Sequence, residues 1–236
     1  MPRSATLNRD TNETKIQISL NIDGGELLPF EQSDFWDKID AANNAASTNG
    51  EVKDHAAQAS KSQTINVDTG IGFLDHMLHA LAKHGGWSLR IRCKGDLHID
   101  DHHTAEDTCL ALGTAFKNSL ANSTGLTRFG YAYAPLDEAL SRAVIDLSNR
   151  PYFASNMDTC FRREKVGDLS TEMIGHCLAS FAQNAAVTLH VDVLKGENDH
   201  HRAESAFKAL AIAIRQATTV VQKWEGEVRS TKGVLY

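Results

Sequence analysis

Apolar residues recur along this chain in two rhythms, and both rhythms are written twice. Ile16, Ile18, Leu20 and Ile22 alternate with polar neighbours over 15–23, the period-two pattern of a strand with one buried face. Phe73, Met77, Leu78 and Leu81 then recur at helical spacing around His76. A second alternation sets Trp87, Leu89, Ile91 and Cys93 against Ser88, Arg90 and Arg92, and Ala105, Cys109, Leu112 and Phe116 follow as one helical face. The second half repeats the order. Ala143, Ile145 and Leu147 form a weaker strand pattern behind Asp137 and Glu138, as Glu13 stands ahead of the first strand. Met173, Cys177, Leu178 and Phe181 surround His176, then Val187, Leu189, Val191 and Val193 alternate, then Ala203, Phe207, Leu210 and Ile214 share a face. The pattern predicts an internally duplicated α/β (α+β) chain whose two similar halves, 1–121 and 122–236, form one compact unit.

The last helix of each half opens on the same hexapeptide type. Asp101-His102-His103-Thr104-Ala105-Glu106 and Asp199-His200-His201-Arg202-Ala203-Glu204 both read Asp-His-His-x-Ala-Glu. Aspartate is a preferred helix N-cap, so each copy is placed at a helix start. A histidine and a glutamate four apart share a helical face, and imidazole with carboxylate is a donor set for divalent transition metals. With one upstream histidine in register, the halves supply His76, His102, His103 and Glu106, and His176, His200, His201 and Glu204. Adjacent helical residues point about 100° apart, so neighbouring histidines cannot easily chelate one ion side by side. Each pair is therefore expected to split between two metals, with both ions drawing ligands from both halves.

Residues 24–63 break the pattern and have no counterpart in the second half. They read as a peripheral surface insertion with a short helix near 35–46, and His55 within it as a solvated bystander. A net charge of −6 argues against nucleic acid as a partner. No run is long and apolar enough to span a membrane, and the first residues carry no apolar leader core. Cys93, Cys109, Cys160 and Cys177 show no paired spacing and read as reduced thiols, which with the missing leader places the chain in the cytoplasm.

Several stretches carry a family resemblance: Phe73-Leu74-Asp75-His76-Met77-Leu78, Lys83-His84-Gly85, the two His-His copies, Arg128-Phe129-Gly130, Pro135-Leu136-Asp137-Glu138-Ala139, Asp146-Leu147-Ser148-Asn149-Arg150-Pro151 and Ser230-Thr231-Lys232-Gly233. Together they resemble the imidazoleglycerol-phosphate dehydratases, over the whole chain except 24–63 and the extreme ends. The match departs at His79, where many members carry an acidic residue. The resemblance implies a ribosomal protein S5 domain 2-like fold with helices packed between sheets. It implies a manganese-dependent hydro-lyase of histidine biosynthesis that converts imidazole glycerol phosphate to imidazole acetol phosphate, with two Mn²⁺ per active site. It also implies a homo-oligomer, a shell of 24 subunits. The eight histidines and glutamates above become its metal ligands, and Glu13 its candidate acid or base. Catalytic duty falls to Glu13, His76, His102, Glu106, His176 and Glu204. His84, Arg128, Arg150, Lys208, Ser230, Thr231 and Lys232 join Glu13 as substrate contacts, the cations meeting the phosphate. A metal bound to the imidazole would acidify the ring and stabilise an imidazolate-like intermediate.

Two other classes use the same ligands. A dinuclear hydrolase would activate water at such a site, and a metal-storage oligomer would hold ions without turnover. The storage reading has no use for Arg128, Arg150 and the Ser-Thr-Lys tail.

Overall fold

The computed structural model describes residues 3–46, 57–120 and 124–235. The first half runs β1 (Ser4–Asp10), β2 (Thr14–Asn21), α1 (Asp34–Ala46), β3 (Ala57–Ala59), β4 (Thr64–Asp68), α2 (Gly72–Gly85), β5 (Ser88–Gly95) and α3 (His102–Ser119). The second runs β6 (Phe129–Leu136), β7 (Ala139–Asp146), β8 (Tyr152–Ser155), α4 (Met157–Cys160), the small hairpin β9 (Lys165–Val166) and β10 (Leu169–Ser170), α5 (Thr171–Ala185), β11 (Thr188–Lys195) and α6 (Asp199–Ala217). Every strand and helix expected from the pattern is present. The expected bystander His55 and the 121/122 boundary lie outside the described residues.

The strands form two sheets, ordered β1-β2-β5-β4-β3 and β6-β7-β11-β8. The central pairs β2–β5 and β7–β11 are antiparallel, while β4–β5 and β8–β11 are parallel. Each parallel pair is the one whose connection carries a helix, α2 or α5, as a parallel crossover requires. β1 and β6 leave no clear period in the sequence. They are edge strands, and outward Thr6 and Asn8, or Tyr131 and Tyr133, leave only a few small apolar residues to mark the period.

The inner faces of both sheets and the helices between them make one continuous core, with Trp87, Phe116 and Phe181 stacked in a series of ring contacts. α3 packs on the first sheet and α6 on the second. Across the layer, α2 packs on α6 and α5 packs on α3. The repeats therefore exchange partners: the first helix of each half lies against the last helix of the other. Gly113 and Gly130 permit the close approaches. A Cβ on Gly113 would stand 2.5 Å from the Phe181 carbonyl, and one on Gly130 would stand 1.9 Å from that of Ala213.

Residues 24–40 are surface residues that nevertheless close the outer face of the first sheet. Gln17, Ser19 and Asn21 point outward from β2 yet are buried, and their side chains bond the Glu31 carbonyl at 2.7 Å, the Leu28 carbonyl at 2.7 Å and the Glu26 carbonyl at 2.9 Å. Arg90 and Arg92 lie over the Phe30 ring, and Arg92 also over the ring of buried Trp36, with Asp40 accepting its guanidinium at 2.9 Å. This part of the insertion is thus not peripheral to the packing: it supplies the partners that buried polar groups need. Among the described residues no helix is long and apolar enough to cross a membrane.

Removing the Trp36 ring should cost about 3 kcal/mol, roughly 6–12 °C in Tm for a chain of this size. Thermal melting of Trp36→Ala measures it, and an unchanged Tm would return the segment to a peripheral role.

Candidate metal centres and active site

Each Asp-His-His copy is built in the same way. The first acidic or amide residue caps the helix: Asp100 accepts from the His102 amide at 2.9 Å, and Asn198 from the His200 amide at 2.9 Å. The second does not cap. Asp101 accepts from the Ser170 hydroxyl at 2.9 Å, and Asp199 from the Arg162 and Arg163 amides at 3.0 and 2.9 Å. Asp101 stands at the N-cap position of α3 without a side-chain cap bond, and Asp199 is the first residue of α6, whose N-cap is Asn198; both buried carboxylates instead tie their helix start to the segment before or at the start of α5.

The helix exchange then assembles two clusters. His76 of α2 meets His200 and Glu204 of α6, and His176 of α5 meets His102 and Glu106 of α3. In the first, His76 Nε2 and His200 Nε2 lie 3.2 and 3.1 Å from the same Glu204 oxygen. In the second, His176 Nε2 lies 3.0 Å from Glu106 Oε1 and His102 Nε2 lies 3.9 Å from Oε2. Ligands held about 2.1 Å from a common ion stand about 3–3.5 Å from each other, so both clusters fit a divalent metal with little movement. The proton shared between imidazole and carboxylate is the one a metal would displace.

His103 and His201 join neither cluster of the chain. His103 Nδ1 meets Asp96 at 2.9 Å and His201 Nδ1 meets Glu138 at 2.7 Å. Within one copy, then, one histidine of each pair joins a cluster and its neighbour turns to an acid, so the expected division of each pair between two metals is not seen in the single chain. The acids raise the pKa of both imidazoles. Asp96 and Glu138 were not recognised as functional from the sequence, although Glu138 stands where the repeat places Glu13.

The expected substrate contacts fall into two distant groups. Lys208 binds the other oxygen of Glu204 at 2.7 Å. Burial works to raise the Glu204 carboxyl, but the Lys208 ammonium beside it prevails and holds its pKa at about 2. His84 lies near Lys208, and burial followed by that positive charge lowers its pKa. Glu13 sits by His103, its carboxylate 3.9 Å from Nε2. Arg128 is elsewhere: its amide donates to the Ala217 carbonyl at the end of α6, and its guanidinium holds Asp146 at 2.8 Å. Arg150 reaches the same Asp146 at 3.9 Å. The tail lies over them, with Arg128 bonded to the Arg229 carbonyl and Asn149 to the Leu235 carbonyl. Ser230, Thr231 and Lys232 belong to this tail, where Ser230 Oγ accepts from the Lys232 amide. Arg128 and Asn149 take φ of 73° and 54°, left-handed values that non-glycine residues adopt at a cost and that concentrate at functional sites.

Two rulers measure the gap. His200 and Ala217 stand 17 residues apart on α6, roughly 25 Å of helix. Glu138, which holds His201, and Asp146, which holds Arg128, stand eight residues apart along β7, roughly 26 Å of strand. Within one chain Arg128 and Arg150 thus stand far from the His76–His200–Glu204 cluster, at the other ends of α6 and β7.

Fold and clusters together define a duplicated α/β protein with two His/Glu sites able to hold divalent metal. A sequence model of the family Imidazoleglycerol-phosphate dehydratase matches residues 69–214. The chain is 65% identical over 234 residues to the imidazoleglycerol-phosphate dehydratase of Neurospora crassa, covering 99% of this chain and 96% of that protein. It is 58% identical to that of Saccharomyces cerevisiae over 99% of this chain and 98% of that one. The crystal structure of the Staphylococcus aureus dehydratase is similar with a TM-score of 0.67 at 29% identity, covering 92% of this chain and 99% of that one. The Pyrococcus furiosus enzyme, solved in complex with (S)-C348, gives 0.69 at 29% identity, covering 97% of this chain and 100% of that one. The chain belongs to the imidazoleglycerol-phosphate dehydratase family, and its activity is that of a carbon–oxygen lyase of histidine biosynthesis.

If the clusters are separate sites, His76→Ala should remove one metal ion per chain and His176→Ala the other. Metal counting on each purified variant tests this, and a variant that keeps its full complement would contradict the assignment of that histidine.

Proposed function

We propose that this chain dehydrates imidazole glycerol phosphate to imidazole acetol phosphate with two divalent ions, manganese in the native enzyme, at an active site that neighbouring copies complete. The observation that carries the reading is the pair of clusters, each a histidine from one half set against a His-x-x-x-Glu pair from the other. His76, His200 and Glu204 would hold one ion, and His102, Glu106 and His176 the other. Bound there, a divalent cation supplies Lewis-acid polarisation of the substrate imidazole.

The chain's own groups do the rest. The reaction breaks one C–H and one C–OH bond and releases water, and the enol left behind moves its hydroxyl proton to carbon to become the ketone. Glu13, half-exposed beside His103, is the acid/base group that moves the proton. Lys208 fixes Glu204 in its ionised, ligating form and with His84 borders the first cluster. Arg128, Arg150, Ser230, Thr231 and Lys232 bind the phosphate, the guanidinium and ammonium groups countering its charge.

A three-carbon glycerol chain cannot span the gap between phosphate cations and metal clusters. The geometry therefore supports a site that takes metal ligands from one copy and phosphate ligands from another. His103 and His201 face outward with Nε2 turned away from their acids, ready to complete the coordination of an ion held by a neighbour. This supports a homo-oligomer, for which the 24-subunit shell is the expected form. Free, buried Cys93, Cys109 and Cys177 fit a cytoplasmic setting.

Chelation should abolish formation of the ketone product, and manganese should restore it better than magnesium, which prefers all-oxygen sites. Full turnover by metal-free protein would refute the metal reading. The shared site has its own test. His176→Ala and Lys232→Ala should each be nearly inactive alone, and oligomers assembled from a mixture of the two should regain activity. No recovery on mixing would place all the groups of a site in one chain.

A further inference from the structure

The acids beside His103 and His201 occupy different positions in the two repeats, and the difference separates two roles. Aligning the halves pairs Glu13, just ahead of β2, with Glu138, just ahead of β7, and pairs Gly95-Asp96 after β5 with Gly196-Glu197 after β11. In the second half the glutamate holds the imidazole. Glu138 Oε2 meets His201 Nδ1 at 2.7 Å, while Oε1 accepts from the amides of Glu197 and Asn198 at 3.0 and 2.8 Å. In the first half the task has passed to Asp96, whose Oδ2 meets His103 Nδ1 at 2.9 Å. Glu13 then stands on the opposite, Nε2 side of the same ring at 3.9 Å, with 54% of its side chain exposed.

We infer that Asp96 and Glu138 are positioning residues that hold Nδ1–H of His103 and His201, so that Nε2 offers its lone pair to a metal, and that the transfer of this task to Asp96 is what frees Glu13 for the reaction. The inference rests on reading the clusters as metal centres completed by a neighbouring copy. An imidazole whose two nitrogens are both unconstrained divides its population between tautomers and ring orientations, and only one combination is a ligand. A carboxylate on Nδ1 selects that tautomer and makes Nε2 more basic. The duplication would otherwise leave two equivalent glutamates, each bound to its histidine. Moving the acid by one loop in one half converts a symmetric pair into one positioning and one reactive carboxylate.

The two acids should respond differently to amide substitution. Among the described residues no side chain or neighbouring amide binds the second Asp96 oxygen, so Asp96→Asn can keep its oxygen on His103. Both Glu138 oxygens accept from donors, so Glu138→Gln must turn its NH₂ against one of them.

The experiment titrates the metal-free full-length protein and its variants with Mn²⁺ alone. Asp96→Ala and Glu138→Ala should bind one class of ion roughly 10–100-fold more weakly. Asp96→Asn should recover most of that loss and Glu138→Gln should not. Glu13→Gln should bind Mn²⁺ as the wild type does while its kcat falls. Wild-type affinity in both alanine variants overturns the positioning role, and a Glu13→Gln loss equal to that of Asp96→Ala overturns the division of tasks. His103→Ala separates this from the underlying reading. If it is weakened while Asp96→Ala is not, positioning alone fails; if wild type binds no Mn²⁺, or His103→Ala binds as wild type, the metal reading of that imidazole fails with it. Glu138→Ala also loses the acceptor for two loop amides, so the Asp96→Ala and Asp96→Asn pair decides the case should that variant misfold.

Discussion

The structure depends on the exchange of helix partners between its halves. α2 lies on α6 and α5 lies on α3, so no repeat packs its own first and last helices together at the layer between the sheets. Each half alone would leave uncovered the sides of α2 and α3 against which α6 and α5 lie, among them Phe116 where it meets Phe181. Each large side chain so exposed would cost about 1.5–3 kcal/mol, against a net stability of only about 5–15 kcal/mol for an ordinary domain. The same exchange delivers the single histidine of one repeat to the His-Glu pair of the other. Core and clusters therefore arise from one packing event, and a half-chain would possess neither.

Polarity decides how each sheet meets its surroundings. The outward residues of β2 and β5 are amides, hydroxyls and guanidinium groups, and the chain covers them with 24–40, whose carbonyls and rings satisfy them. Among the described residues the second sheet has no such cover. Its outward residues include Tyr131, Tyr133, Val144 and Tyr152, which remain exposed in the single chain. The duplication has thus kept the inner faces alike, where both halves must fill one core, and allowed the outer faces to diverge.

Electrostatics divides the molecule along its length. One end gathers imidazoles and carboxylates, with Lys208 stabilising the ionised Glu204. The other gathers Arg128 and Arg150 around a single Asp146, under a tail that reaches back over them. Two guanidinium groups share the one Asp146 carboxylate, which leaves positive charge for an anion. Because α6 and β7 are rigid spacers between the two ends, no side-chain movement within one chain can unite them.

Much of this was legible in the sequence because periodicity reports burial. The alternations at 87–93 and 187–193 and the helical stripes around His76 and His176 identified the inner faces, and the doubled Asp-His-His-x-Ala-Glu marked the His-Glu pairs that the fold gathers into clusters. The 100° between helical neighbours already separated His102 from His103 and His200 from His201. The edge strands β1 and β6 were not legible, because a strand with little burial leaves little period. Nor were the exchanged helix pairs, the acids Asp96 and Glu138, or the cover formed by 24–40. These are contacts between residues distant along the chain, such as His76 with Glu204, Gln17 with Glu31 and His201 with Glu138. A local pattern records which face of an element is buried; only the folded chain decides what lies against it.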